Sequence, residues 1–552
     1  MATTATMGRA ARKPSRARPD TMHSAGHHRP PRRSTACLLV AGALGALGAT
    51  GAAGVYAQSD GSSGESGEGA KRLGLTVVPR VGLSETWTDN LTLAPKGSRD
   101  QAFITGISPG VTITNRTGWM RGVLDYTLDG LIYVKSDQSS RVQNQLVARG
   151  NAELIPSTLF VDVNGNISQQ SISAFGQTSP SNDLANPNRT EVRTLSVSPY
   201  WRGMLSTIAS FELRAMGQIR DSSEGGSGNS SVSGDTKEGT VSFSLSGPQG
   251  RALNWGLQAY TRRMHYELTG QDNRSSSAVA SLNWIPDVDW VLGVTAGREK
   301  SDYLGKDTST IYGLSAKWLP TPRTTLSGDW QHHSYGDSHN AVLEHRMTQV
   351  VVRFNSTQSV STGSDPSGQM TNYQLLDLQY TSIEPDAAKR DALVRALLAA
   401  MGLNPSAISS SGFLTNSATM QQRNELSVAW SGQRMTVTLA ANDNKSRGLG
   451  TSATSSDDLA LTNNIRQRGV TVSVAYRFTP LSTGNLTYTR QQSRGDSTTV
   501  DLSTGMSSLY ATSTLRLGPR TDATLGLRHT RSDGQALGYR ENAVYAQVSQ
   551  RF

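Results

Sequence analysis

Apolar and polar side chains alternate with a period of two along most of this chain. The cleanest run is Val470 to Phe478: Val470, Val472, Val474, Tyr476 and Phe478 fall on one face, and Thr471, Ser473, Ala475 and Arg477 on the other. Leu124-Tyr126-Leu128, Leu159-Val161-Val163, Val241-Phe243-Leu245, Trp290-Leu292-Val294, Met435-Val437-Leu439 and Leu525-Leu527 repeat the pattern, each in a segment of about ten residues bounded by turn chemistry. The chain ends in the same register, with Val544, Ala546, Val548 and the terminal Phe552 on the apolar face and Gln550 as the one departure. Arg477 on the second face is costly inside a dry soluble core but acceptable against a water-filled lumen.

The connections between strands are of two kinds. Short ones carry proline, as at Ile155-Pro156, Gly247-Pro248, Leu319-Pro320, Thr479-Pro480 and Gly518-Pro519. Long ones are polar: 89 to 101, 172 to 190, 224 to 238, 443 to 467 and 491 to 507. Seven of the nine tryptophans (Trp119, Trp201, Trp255, Trp284, Trp290, Trp318 and Trp430) stand beside short turns, as an aromatic girdle at a periplasmic interface requires. In lipid every backbone N–H and C=O must be paired within the protein, so a membrane-crossing sheet has to close. The pattern therefore predicts an all-β, antiparallel transmembrane barrel over residues 73–552, with external loops longer than the periplasmic turns. About fourteen strands precede residue 356 and about seven follow 421. With both termini in the periplasm, one further pass is needed, at 413 to 420 or 373 to 381, giving about 22 strands, an even number.

One segment leaves the period of two. Residues 384 to 403 place Leu393, Val394, Leu397, Leu398 and Met401 on one side of a helix that starts at Pro385 and ends at Gly402. The spacing predicts a helix-containing insertion over 362–410, periplasmic by strand parity, as a rim cap or a docking helix for a partner.

Charge and cysteine usage change the picture at the N-terminus. The formal charge of +10 suggests nucleic acid, yet eight basic residues and only Asp20 among the acids lie in residues 1–57. The remainder carries 45 basic and 42 acidic residues, which excludes nucleic acid as a partner. Residues 1–57 read as a signal peptide, with basic residues to Arg33, an apolar stretch from Cys37 to Gly51 and Val55-Tyr56-Ala57 before Gln58. Residues 58–72 form a Gly/Ser/Glu lead-in. Cys37, the sole cysteine, lies in that leader, so the mature chain has no disulfide.

Candidate chemistry is sparse. His332, His333, Asp337, His339 and His345 are the densest group of metal-ligating side chains, but His332 and His333 point to opposite faces of a strand, so no metal site is expected. A rim hydrolase drawing on these histidines with Ser334 and Asp329 is the least favoured reading. No phosphate-cradling motif is present, and no cofactor is expected. Arg298, Arg477 and Arg528, with Asp125 and Asp162, are the candidate lumen-facing charges.

The motif Val81-Gly82-Leu83-Ser84-Glu85-Thr86-Trp87-Thr88-Asp89-Asn90, the Pro385 to Arg390 segment and the Glu541 to Phe552 terminus together resemble the PEP-CTERM (exosortase) system-associated outer-membrane β-barrel family, over the whole mature chain. The resemblance implies a Gram-negative outer-membrane protein of bacteria that build exopolysaccharide, and supplies no catalytic residue. The expectation is thus a non-enzymatic channel or export pore. Its partners would be outer-membrane lipid, the barrel-assembly machinery acting on the terminal strand, and periplasmic exopolysaccharide-export components. A structural or adhesion barrel with a closed lumen is the alternative. Low overall apolarity, 36% of residues, suits a wall with one face in lipid and the other in water.

Overall fold

The structure, a computed structural model, describes residues 74–222, 235–248, 250–305, 307–362, 373, 376, 394, 412–450, 457–496, 502–534 and 538–552. The leader and the lead-in lie outside the described residues.

The strands follow in order: β1 (Gly74–Thr88), β2 (Ala102–Arg116), β3 (Met120–Val134), β4 (Arg141–Ile155), β5 (Leu159–Ser171), β6 (Arg189–Leu205), β7 (Ala209–Ser222), β8 (Thr236–Ser246), β9 (Leu253–Tyr266), β10 (Gln271–Asp287) and β11 (Trp290–Ser301). They continue as β12 (Asp307–Thr321), β13 (Thr324–His333), β14 (Gly336–Arg346), β15 (Val350–Ser361), β16 (Thr419–Ser431), β17 (Met435–Gly448), β18 (Asn464–Thr479), β19 (Ser482–Gly495), β20 (Ser503–Arg516), β21 (Thr521–Gly534) and β22 (Tyr539–Arg551). One short helix, α1 (Asp458–Leu461), stands between β17 and β18. The strands form a single 22-stranded antiparallel sheet. β22 pairs back onto β1, from Arg551 opposite Arg80 to Ala543 opposite Thr88, and Phe552 N donates to Pro79 O at 2.9 Å. Closure leaves no unpaired edge.

The period of two sorts the wall. Val470, Leu525, Leu527, Val544 and Val548 are exposed on the outer face. The inner face of the same strands carries hydroxyl pairs: Thr471 with Thr489 at 3.2 Å, Ser473 with Thr487 at 3.0 Å and Thr514 with Thr524 at 3.1 Å. An apolar exterior and a polar interior are the signature of a barrel whose solvent outside is lipid. This is an outer-membrane type of barrel.

At one end every connection is short, 347–349 and 480–481 among them; at the other lie the long ones, up to the 362–418 insertion. The short-turn end is periplasmic by the usual asymmetry, and both ends of the sheet, Gly74 and Arg551, lie there. Trp201, Trp255, Trp284, Trp290 and Trp318 are exposed on the outer face near that end, with Trp119 in the 117–119 turn and Trp430 paired to Val350. Trp290 stacks on Trp318 at 5.0 Å and Trp201 meets Phe211 edge-on at 5.1 Å. Trp87 and Trp330 stand near the opposite end.

Two expectations change. Fifteen strands end by Ser361 and seven begin at Thr419, and β15 pairs directly with β16; among the described residues between them Phe413 to Ala418 is non-strand and Tyr373 is helical. This parity puts the described ends of the insertion, Thr362 and Ala418, at the external end. Of its proposed docking face, Val394 is helical and fully buried, whereas Leu393, Leu397, Leu398 and Met401 lie outside the described residues.

Candidate functional site at the barrel mouth

The β5–β6 connection, residues 172–188, turns inward and runs along the upper lumenal wall. Tyr133 Oη donates to Asp183 O at 3.1 Å and Gln143 Nε2 to Asn182 O at 2.9 Å, from β3 and β4. Thr504 Oγ1 of β20 donates to Phe175 O at 3.0 Å, and Tyr539 Oη of β22 to Thr178 O at 2.5 Å. Leu184 packs with Leu91 and Leu93 of the 89–101 loop against Ile104, Leu131 and Tyr539 on the inner wall. Asn90 braces that loop, donating to Ala94 O at 2.8 Å and Arg540 O at 2.9 Å. Two external loops therefore pack against the inner wall at the mouth instead of extending into water, which their reading as long polar external loops did not anticipate.

The start of this strap is clasped by segments from the far side of the ring. Asp458, the first residue of α1, accepts from Ser173 Oγ at 2.8 Å and Ala174 N at 2.6 Å. Asp457 accepts from Thr415 Oγ1 at 2.8 Å, from Asn416 N at 2.9 Å and, as the helix N-cap, from Leu459 N at 3.0 Å. Leu414 N donates to Ile172 O at 3.2 Å. Ala174, Leu459 and Ile465 form a buried apolar contact joined by Phe175 and Phe413. Since β5 and β18 stand nine strands apart on the 22-strand ring, the clasp joins segments from well-separated parts of the wall.

Burial pushes the Asp458 carboxyl up to about 6, with repulsion from Asp457 adding to it and the bonds from Ala174 and Ser173 opposing it. The clasped state thus holds a proton more tightly than a water-exposed aspartate near 4 does. Its contribution to closure is complete below about pH 4 and is lost as pH rises through about 6. Open probability should rise between pH 5 and pH 7 in bilayer recordings, and Asp458→Asn should flatten that rise. An unchanged open probability across this window would refute the coupling.

Lower on the wall, three lumenal arginines are paired with carboxylates. Arg528 is buried: its Nη2 lies 2.7 Å from Glu541 Oε1, its Nη1 3.4 Å from Asp183 of the strap, and Thr88 Oγ1 donates to the same Glu541 oxygen at 3.1 Å. Arg80 forks onto Asp125 at 2.6 and 3.2 Å and also reaches Thr112 at 2.7 Å. Arg214 meets Asp162 at 2.7 Å and lies 4.0 Å over the Tyr200 ring. Arg477 has lumenal register at the exposed turn end. Arg298 does not face the lumen: it shares the parity of Trp290, Leu292 and Val294 and is exposed, while its neighbour Glu299 is the inward, buried residue. A strand cannot turn consecutive side chains to one face, so the outward run from Trp290 fixes Arg298 outside.

At the terminal strand Val544, Ala546 and Val548 point outward and Phe552 is exposed. Gln550 shares their face, where its side-chain oxygen accepts from the Thr521 hydroxyl on β21.

The histidines divide between the two faces. His332 with Asp337 at 2.6 Å, His339 with Ser356 at 3.0 Å and His345 with Thr324 at 2.8 Å sit on outward positions. His333 faces inward and touches Glu299 and Ser338. Asp329 accepts from Asn340 at 3.2 Å, and Ser334 meets Glu299 through its backbone N–H. Among the described residues no group of three or more His, Cys, Asp or Glu is placed to hold a metal ion.

No family model and no curated protein matches the chain. Solved structures do. It is similar to the FrpB iron transporter of Neisseria meningitidis, at 10% identity over 86% of this chain and 81% of that one, with a TM-score of 0.46. The siderophore receptor PirA of Acinetobacter baumannii gives 11%, 87%, 81% and 0.45, and a mutant of the ferric enterobactin receptor PfeA of Pseudomonas aeruginosa 11%, 87%, 81% and 0.44. At such identities these likenesses concern architecture alone.

Proposed function

We propose that the chain is a gated outer-membrane channel that exports sugar chains during exopolysaccharide or PEP-CTERM surface assembly. The observation that carries the channel reading is a wide, hydroxyl-lined barrel closed at its mouth by its own loops. A closed sheet of this size encloses a lumen that must be either filled or conducting. Here the filling is a strap held by hydrogen bonds that can be broken without unpairing a strand.

Neutral or weakly acidic sugar chains suit a wall of serine and threonine hydroxyls on which Arg80, Arg214 and Arg528 are each paired with a carboxylate. Outer-membrane lipid covers the belt, the barrel-assembly machinery would act on the β22 terminus, and periplasmic export components would meet the short-turn end. The closed structural or adhesion barrel is favoured by one observation, the buried apolar cluster around Leu91, Leu93 and Leu184 that seats the loops.

Efflux of size-graded dextrans and acidic oligosaccharides from proteoliposomes separates the two. The channel reading expects release that increases when residues 176–185 are replaced by a short Gly/Ser link. Retention of every sugar by both proteins would leave the structural reading.

A further inference from the structure

We propose that Ser338, His333 and Glu299 form a serine-hydrolase triad on the lumenal wall, acting on carboxylic esters that reach the channel. Ser338 Oγ lies 3.1 Å from His333 Nε2, and His333 Nδ1 lies 2.9 Å from Glu299 Oε2. This is the order nucleophile, base, orienting carboxylate. Glu299 leaves the imidazole one tautomer: its carboxylate can only accept from Nδ1–H, so Nε2 carries the lone pair toward the serine hydroxyl.

The supporting contacts fix each member. Glu299 is almost wholly buried, and its other oxygen accepts from Ser309 Oγ at 3.1 Å and from Ser334 N at 2.5 Å. The His333 ring is stacked on Tyr335 with centroids 4.8 Å apart and planes within 8°. Ser338 is half-buried, on the lumenal face of β14. Directly across from it on β13 stands Gln331, which shares the lumenal face. None of these groups belongs to the strap or its clasp.

Ser338 Oγ would attack the ester carbonyl carbon as its proton passes to His333 Nε2, and Glu299 stabilises the imidazolium. Collapse of the tetrahedral adduct breaks the bond to the leaving alkoxide, which takes the proton from Nε2. Water then gives a proton to Nε2 and attacks the acyl-serine. The carboxylic acid leaves and Ser338 recovers its hydrogen. Net, one ester and one water become an acid and an alcohol.

The test is fluorophosphonate labelling of the folded full-length mature barrel, with mass spectrometry of the tagged peptide and 4-nitrophenyl acetate hydrolysis alongside. The label should fall on Ser338, and Ser338→Ala should abolish it while Ser334→Ala keeps it. Heat-modifiable gel mobility shows that each variant is folded. Ester hydrolysis in Ser338→Ala should fall by roughly three orders of magnitude or more. Glu299→Gln should lower kcat and displace its pH profile, which a merely structural contact would not do. Folded wild type that takes no label, or a label that persists in Ser338→Ala, overturns the proposal.

Discussion

Replacing both Asp457 and Asp458 by alanine should convert a mostly closed barrel into a mostly open one. Between them the carboxylates accept four hydrogen bonds from the strap and the 413–418 segment. A hydrogen bond to a carboxylate is worth about 1.5–3 kcal/mol, and one to the protonated Asp458 carboxyl favoured in the clasp about 0.5–1.5 kcal/mol. Moving a two-state equilibrium from 1:99 to 99:1 takes about 5.5 kcal/mol, which is the size of the loss when all four go. The converse variant is a lock. The backbone bond from Leu414 N to Ile172 O brings two segments within the usual disulfide span, and residues 58–552 contain no cysteine to mispair. Ile172→Cys with Leu414→Cys should therefore silence the channel when oxidised and restore it on reduction, as followed by conductance in the same membrane. Equal currents in the oxidised lock and the double alanine variant would mean that the clasp does not govern the mouth.

Glu541→Ala should be the most damaging single substitution in the wall. Among the described residues it leaves the buried Arg528 guanidinium with Asp183, at 3.4 Å, as its one ionic partner. Removing one member of a buried pair typically costs about 3–5 kcal/mol, because the other charge stays desolvated. Arg528→Met combined with Glu541→Leu should recover most of that loss, since neither charge is then stranded. Urea unfolding of the vesicle-inserted protein, read by tryptophan fluorescence, measures both. A Glu541→Ala barrel as stable as wild type would show that the pair is solvated. Because Arg528 also holds Asp183, the same substitution should loosen the strap.

The wall was legible because lipid imposes a period of two on every strand, and tryptophan marks the turn end independently. Arg298 was misplaced by its charge, although the outward run Trp290-Leu292-Val294 assigns it outside; it stands well along the strand from Trp290, where the apolar belt gives way to Lys300 and Ser301. The strand count before residue 362 fell one short in a region where β13 and β14 are only 10 and 11 residues long and are joined by two residues, and that one missing strand moved the insertion to the wrong end. The strap was illegible because an irregular loop has no period. Its signal was compositional: Leu91, Leu93, Phe175, Leu184 and Leu459 are large apolar residues in connections that water alone would keep polar. The relay of Glu299, His333 and Ser338 escaped because its members come from three strands, and the acid is remote in sequence from the histidine.

Single-channel recording in a planar bilayer, comparing the mature chain from Gln58 to Phe552 with the form lacking residues 176–185, tests the central claim most directly. A gated barrel predicts brief or rare openings for the intact protein and a steady, larger conductance for the strapless one. Identical currents, or none from a strapless barrel that is inserted and heat-modifiable, would contradict it.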